Sequence, residues 1–121
     1  KFDDNVGVHV LECPELFPIK AIDASSHHVL LVSVNRGGPN GGSGTRYFVG
    51  SWSGAEFLSK TKQVLWLDYG SDNYAGVSWN GVGDGTFKRY LGWMSNWMYA
   101  NMVPTTAWRS AMTLPRDIRL C

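Results

Sequence analysis

The sequence predicts an all-β fold of two four-stranded antiparallel units, each a blade of a partial β-propeller. Three observations carry this. Turn signals rich in Gly, Asp and Asn recur about every ten residues between short apolar or β-branched runs. Pro14 and Pro18 exclude a helix from the first of those runs. The runs form two sets, in residues 12–58 and 74–120. Each is ordered as a short inner strand, a long apolar strand, an aromatic strand and a short outer strand. Four strands in about 45 to 60 residues is the repeat of a propeller blade. An eight-stranded β-sandwich has similar turn spacing; the long Gly-rich loop and the abundance of Trp weigh towards blades.

Taken in order, residues 1–7 are polar and turn-like, and Val8-His9-Val10-Leu11 opens an extended run. His28-Val29-Leu30-Leu31-Val32-Ser33-Val34 is continuous and β-branched, the pattern of a strand buried on both faces. Residues 36–44 are a Gly-rich loop; it lacks a following Gly-Lys-Ser/Thr and a helix, so it is not a phosphate cradle. Residues 45–52 form the aromatic strand, and Ser53-Gly54 turns it into Ala55-Glu56-Phe57-Leu58. The second set places strands at 74–79, 87–94, 108–114 and 117–121, with one helical turn in 95–103 ended by Pro104. The chain therefore reads as one partial-propeller domain, its first blade at about 8–58 and its second at about 68–121.

Composition narrows the function. The 121 residues carry a net charge of +1 with 17% charged residues, which gives no electrostatic footprint for nucleic acid or membrane. No run reaches transmembrane length. Six Trp and fourteen Gly suit a carbohydrate surface, where a ring meets the apolar face of a sugar, although at least half of the Trp are expected in the core. Cys13 and Cys121 read as two thiols rather than a bridge, Cys13 in the interior; the count leaves the compartment open. His9, His27 and His28 lack metal spacing, so neither a metal nor a cofactor is expected.

The stretch with chemical content is Leu11-Glu12-Cys13-Pro14-Glu15-Leu16-Phe17-Pro18. A carboxyl enclosed by Leu11, Pro14 and a neighbouring blade is disfavoured in its charged form, and the resulting raised pKa suits a general acid. Elsewhere, Asp68 is expected to shape a turn, and Asp72 either to bind a sugar hydroxyl or to cap the turn before Tyr74.

These residues resemble a known family. Glu12-Cys13-Pro14 resembles the ECP motif of glycoside hydrolase family 32, the invertases, exo-inulinases, levanases and related fructosidases. Further matches follow in order: Leu30-Leu31-Val32-Ser33-Val34-Asn35 with the Gly-rich loop; Asp68-Tyr69-Gly70, Asp72 and Tyr74-Ala75; Gly92-Trp93-Met94-Ser95-Asn96-Trp97 with Tyr99-Ala100; and Pro104-Thr105-Thr106, Trp108-Arg109 and Ala111-Met112-Thr113-Leu114-Pro115-Arg116. The resemblance implies a five-bladed propeller of which this chain is roughly the third and fourth blades. It implies a secreted, retaining β-fructosidase with a fructose-containing saccharide as substrate and Glu12 as acid/base. Asp72, Tyr74, Trp93 and Trp97 become candidates to line the fructosyl pocket, with at least one of the two Trp expected in the core.

The sequence also departs from the family. The nucleophile's Asn-Asp-Pro and the stabiliser's Arg-Asp-Pro are absent, since Ile118 follows Arg116-Asp117, and Asp3 and Asp4 match neither motif. Leu11 stands where Trp is common, Glu15 where Asp is, Ser110 where Gly is, and Asp117 where Glu is. The chain alone is thus expected to be inactive and to associate, with itself or with the missing blades. The rival reading is a non-catalytic carbohydrate-binding or self-associating protein derived from such an enzyme.

Overall fold

The structure is a computed structural model that describes residues 10–121. The expectations for residues 1–7, for the strand start at Val8 and for Asp3, Asp4 and His9 lie outside the described residues. The chain forms two antiparallel sheets. The first comprises β1 (Val10–Lys20), β2 (Ser26–Asn35), β3 (Ser43–Trp52), β4 (Phe57–Ser59) and β5 (Leu65–Trp66), in the order β1-β2-β3-β4 with β5 also on β3. The second orders β6 (Tyr74–Ser78), β7 (Lys88–Trp93) and β8 (Arg116–Ile118). A 3-10 turn covers Ala100–Met102.

Sequence dictates each position. β2 is central because its β-branched run buries both faces: Val29 and the four residues 31–34 are all buried. β1 lies at the sheet edge, where Pro14 and Pro18 cost no ladder bonds on the open side. β4 pairs with β3 at 50–52 and β5 pairs with it at 46–47, so the two share one edge as a broken fourth strand. The β3–β4 turn runs through Gly54 at φ 95, which a residue with a Cβ rarely adopts.

The core lies where one face of the first sheet meets the second. Phe17, Ile19, Val29 and Leu31 pack on Tyr90 of β7, with Tyr47, Val49, Leu67, Ile118 and Leu120 around them. Cross-strand partners share a face, so Phe17, Val29 and Val49 form one rung and Glu15, Leu31 and Tyr47 the next. Arg89 and Asp117, register partners on the far side of β7, are ion-paired at 2.9 Å.

The all-β partial propeller is the fold found, with three corrections of detail. The second sheet has three strands, because the strand expected at 108–114 reduces to a single bridge between Met112 and Trp93. Ser110 at φ 67 breaks it from behind. Pro115 and a one-residue slip separate the bridge from β8, so residues 112–118 follow β7 as one interrupted edge. None of the six Trp is buried: Trp66 and Trp93 are half-buried, and the other four lie at strand ends or in loops beyond the overlap of the sheets. Cys13 is exposed rather than interior, as is Cys121, and both are free.

Close packing around Tyr90 gives a direct check. A Cβ at Gly76 would lie 2.0 Å from the Tyr90 hydroxyl. Gly76→Ala is expected to cost about 1–3 kcal/mol by overpacking, read as a lower urea midpoint at unchanged slope.

Candidate active site

Glu12 owes its position to a β-bulge. It pairs with Ser33, yet Glu15 pairs with Leu31, so β1 carries one extra residue between them. In a regular strand residues three apart point to opposite faces; the bulge returns Glu12 to the face that holds Glu15, Phe17 and Ile19. Cys13, at φ 46, takes up the turn and points out to solvent. The core face of β1 therefore runs from apolar to acidic along its length.

Both carboxylates meet β6, which is itself bulged between Tyr74 and Val77. The Tyr74 hydroxyl donates to Oε2 of Glu12. Beyond the bulges, the Ser78 amide donates to Oε2 of Glu15 at 3.0 Å, and its hydroxyl donates to Oε1. Burial, reinforced by the adjacent Glu12 carboxylate, holds the Tyr74 phenol well above the ordinary tyrosine range. The enclosure expected around Glu12 is only partly present: Leu11 and Pro14 are exposed, and the neighbouring sheet contributes Tyr74.

A line of rings continues from Tyr74. Its centroid lies 6.3 Å from that of its register partner Trp93, nearly edge-on, and Trp93 lies 5.0 Å from Trp97. Trp97 is 46% exposed and lines a cleft of about 480 Å³ with Asn35, Arg36, Gly42 and Met98. Asn96 holds the loop that bears it. Its fully buried amide donates to the carbonyls of Ser43, at 3.1 Å, and Ser71, at 2.5 Å. Its oxygen accepts from the amides of Ser43, at 3.1 Å, and Met98, at 2.9 Å. The Ser43 hydroxyl accepts from the Trp97 amide at 3.2 Å.

Of the residues singled out from sequence, Glu12, Tyr74, Trp93 and Trp97 come together in one continuous line. Neither Trp is a core residue. Asp72 is engaged otherwise, accepting from the Tyr99 hydroxyl, and this bond with some burial raises the Tyr99 pKa. Asp68 shapes its turn by accepting from the Gly70 amide at 2.8 Å, and pairs with Arg116 at 3.0 Å. His27 sits between the Ser25 hydroxyl, 2.7 Å, and the Lys60 ammonium, 3.1 Å. Among the described residues no three His, Cys, Asp or Glu side chains gather as a metal site. Sequence reading missed Asn96, Ser33, Thr45 and the second carboxylate, Glu15. Glu15 carried a local signal in its place in the same proline-bounded run as Glu12, and Ser33 and Asn96 lay in segments matched to the family without a role attached.

Two packed antiparallel sheets, with a carboxyl group and a line of aromatic rings at one end of their seam, are the architecture of part of a β-propeller. The family pattern described as Glycosyl hydrolases family 32 N-terminal domain matches residues 1–121, and the chain belongs to that family. It is 46% identical to a levanase of Bacillus subtilis over 127 aligned positions, 99% of this chain and 19% of the levanase. It is 41% identical to an extracellular exo-inulinase of Meyerozyma guilliermondii, over 90% of this chain and 21% of that protein. Among solved structures, an exo-inulinase from Aspergillus awamori matches with a TM-score of 0.82 at 38% identity, covering 91% of this chain and 23% of that one. A fructofuranosidase from Schwanniomyces occidentalis complexed with fructose gives 0.79 at 38% identity, covering 87% and 20%. The chain thus spans about a fifth of the length of these relatives.

Two measurements check this geometry. Asn96→Ala leaves the Ser43 and Met98 amides and two carbonyls without their partner and is expected to destabilise the fold by about 2–4 kcal/mol, measured by urea unfolding. The raised Tyr74 pKa means that the folded state favours the neutral phenol. Its contribution is complete below the unfolded value of about 10 and is lost as pH rises from there through the folded value. Melting temperature should therefore fall above pH ~10, and less steeply in Tyr74→Phe.

Proposed function

We propose that this chain is the acid/base-bearing part of a secreted, retaining β-fructosidase that cleaves terminal fructosyl bonds of sucrose, inulin or levan. The observation that carries the reading is the setting of Glu12: it stands in a Glu-Cys-Pro run that resembles the family's acid/base motif and lies at the head of the line Tyr74, Trp93 and Trp97. In this reading Glu12 protonates the leaving oxygen and then activates water, while the exposed Trp97 ring and the half-buried Trp93 ring receive the sugar's apolar face. Asp72, whose Oδ1 accepts from the Tyr99 hydroxyl, is read as a ligand for a fructosyl hydroxyl. Secretion is supported by the extracellular inulinases among the relatives.

Retention needs a second carboxylate about 5 to 5.5 Å from the acid, acting as nucleophile. Neither aspartate motif occurs in these 121 residues, so the nucleophile and the stabilising carboxylate come from polypeptide outside this sequence. Residues 8–58 and 68–121 are then two consecutive blades, and their outer surfaces are the places where further blades or a second copy pack. A second reading, a self-associating or carbohydrate-binding protein without turnover, draws on the apolar side chains those surfaces expose, among them Val77, Met94, Met112 and Leu114.

The pure chain is expected to release no fructose from sucrose or inulin at an enzymatic rate, because a lone general acid supplies only about 10²- to 10⁴-fold. Addition of polypeptide bearing the two aspartate motifs should restore release, and Glu12→Gln should abolish it; release that survives this substitution would remove Glu12 from the mechanism. Sedimentation at micromolar concentration should show association, and the melting temperature should rise with protein concentration. A monomer with a concentration-independent melt would show that the exposed surfaces need no partner.

A further inference from the structure

The core face of the first sheet changes character at one rung. Val29 with Val49 and Leu31 with Tyr47 are apolar, but the next rung is Ser33 with Thr45, and Glu12 completes it on β1. Ser33 and Thr45 are 1% and 2% exposed. A hydroxyl buried that deeply costs stability unless it is hydrogen-bonded, and both are bonded to the start of β6. The Ser33 Oγ accepts from the Ala75 amide at 3.1 Å, and the Thr45 Oγ1 donates to the Asn73 carbonyl at 3.0 Å.

Three consecutive residues at the entry to β6 are thus each tied to one member of a single rung: Asn73 to Thr45, Tyr74 to Glu12 and Ala75 to Ser33. The two residues flanking Tyr74 have left-handed backbones, Asn73 at φ 84 and Ala75 at φ 49. Residues other than glycine hold such conformations only where the surroundings enforce them. The two hydroxyl contacts fall on the two flanking residues. They also fix the direction in which the Tyr74 side chain leaves the backbone.

We propose that Ser33 and Thr45 are positioning residues for Glu12, acting through the backbone of Asn73 and Ala75 to hold the Tyr74 phenol on the Glu12 carboxylate. An apolar pair at these positions would fill the rung equally well and keep the sheets packed, but would release the kinked segment and with it the phenol. The acid's orientation is therefore set from the second and third strands of its own sheet, by way of β6, as well as from its own bulge. The proposal rests on reading Glu12 as the acid/base, but its observable is the Tyr74 phenol and requires no turnover. Loss of fructosidase activity and failure of this proposal are thus separate results.

The test uses the 121-residue chain with ¹³Cζ-labelled tyrosine, titrated by NMR. Tyr90, whose phenol is held high by burial in the core and drawn down by the Thr45 hydroxyl, reports whether the sheets stay packed, because unpacking would lower it and loss of that hydroxyl would raise it. In Ser33→Ala/Thr45→Val, Tyr74 should ionise at least about one pH unit lower, towards the ordinary value near 10, while Tyr90 does not fall. Ser33→Thr/Thr45→Ser, which keeps both hydroxyls, should restore the Tyr74 behaviour. The single variants Ser33→Ala and Thr45→Val serve if the double variant does not fold, each lowering Tyr74 alone. An unchanged Tyr74, or Tyr74 and Tyr90 falling together, would overturn the proposal, the first by showing no coupling and the second by reducing it to general packing.

Discussion

A carboxylate can rest against another sheet only where something donates to it, and the seam between the two sheets is built around that requirement. β1 turns two glutamates onto its packing face, and β6 answers each with a donor: a phenol for Glu12, and a hydroxyl with an amide for Glu15. The bulges make the arrangement possible. Without the extra residue in β1, Glu12 would face away from the seam, and no acidic group would stand at the end of the aromatic line. Packing and chemistry overlap by one rung here, since Glu15 makes its polar contacts beside the core residue Leu31 and the following rung is polar throughout.

Much of this was legible in the sequence. The strand around Leu31 declared itself by an unbroken β-branched run, and the turns by Gly and Asn. The edge position of β1 is consistent with its two prolines. What escaped is instructive. The bulge at Cys13 lacks the glycine that usually marks a left-handed residue, so nothing local announced it. Trp content signals aromatic surface but not the side on which it lies, and all six rings proved at least partly open. Residues 108–114 have the composition of a strand, yet the backbone at Ser110 and the ring of Pro115 leave room for one bridge.

The aromatic line was found as residues and not as an arrangement. Trp93 and Trp97 were marked together because they lie in one short segment, but their contact depends on Asn96, which in sequence looks like any loop asparagine. Its four partners lie in three segments, two of them far away along the chain. Hydrogen-bonding capacity is a property of the residue type; which backbone groups will be left over to use it is a property of the whole fold. Ser33 and Thr45 are hidden in the same way, as ordinary strand residues whose hydroxyls matter only once β6 arrives.

The seam also orders events in time. The bonds from Glu12 to Tyr74 and from Ser43 to Asn96 join residues 62 and 53 positions apart, whereas β1, β2 and β3 follow one another directly along the chain. Closing the long connections repays its entropy only after each sheet can present a formed edge. The acid's surroundings are therefore the last part of this chain to assemble, and the first to come apart when the two sheets separate.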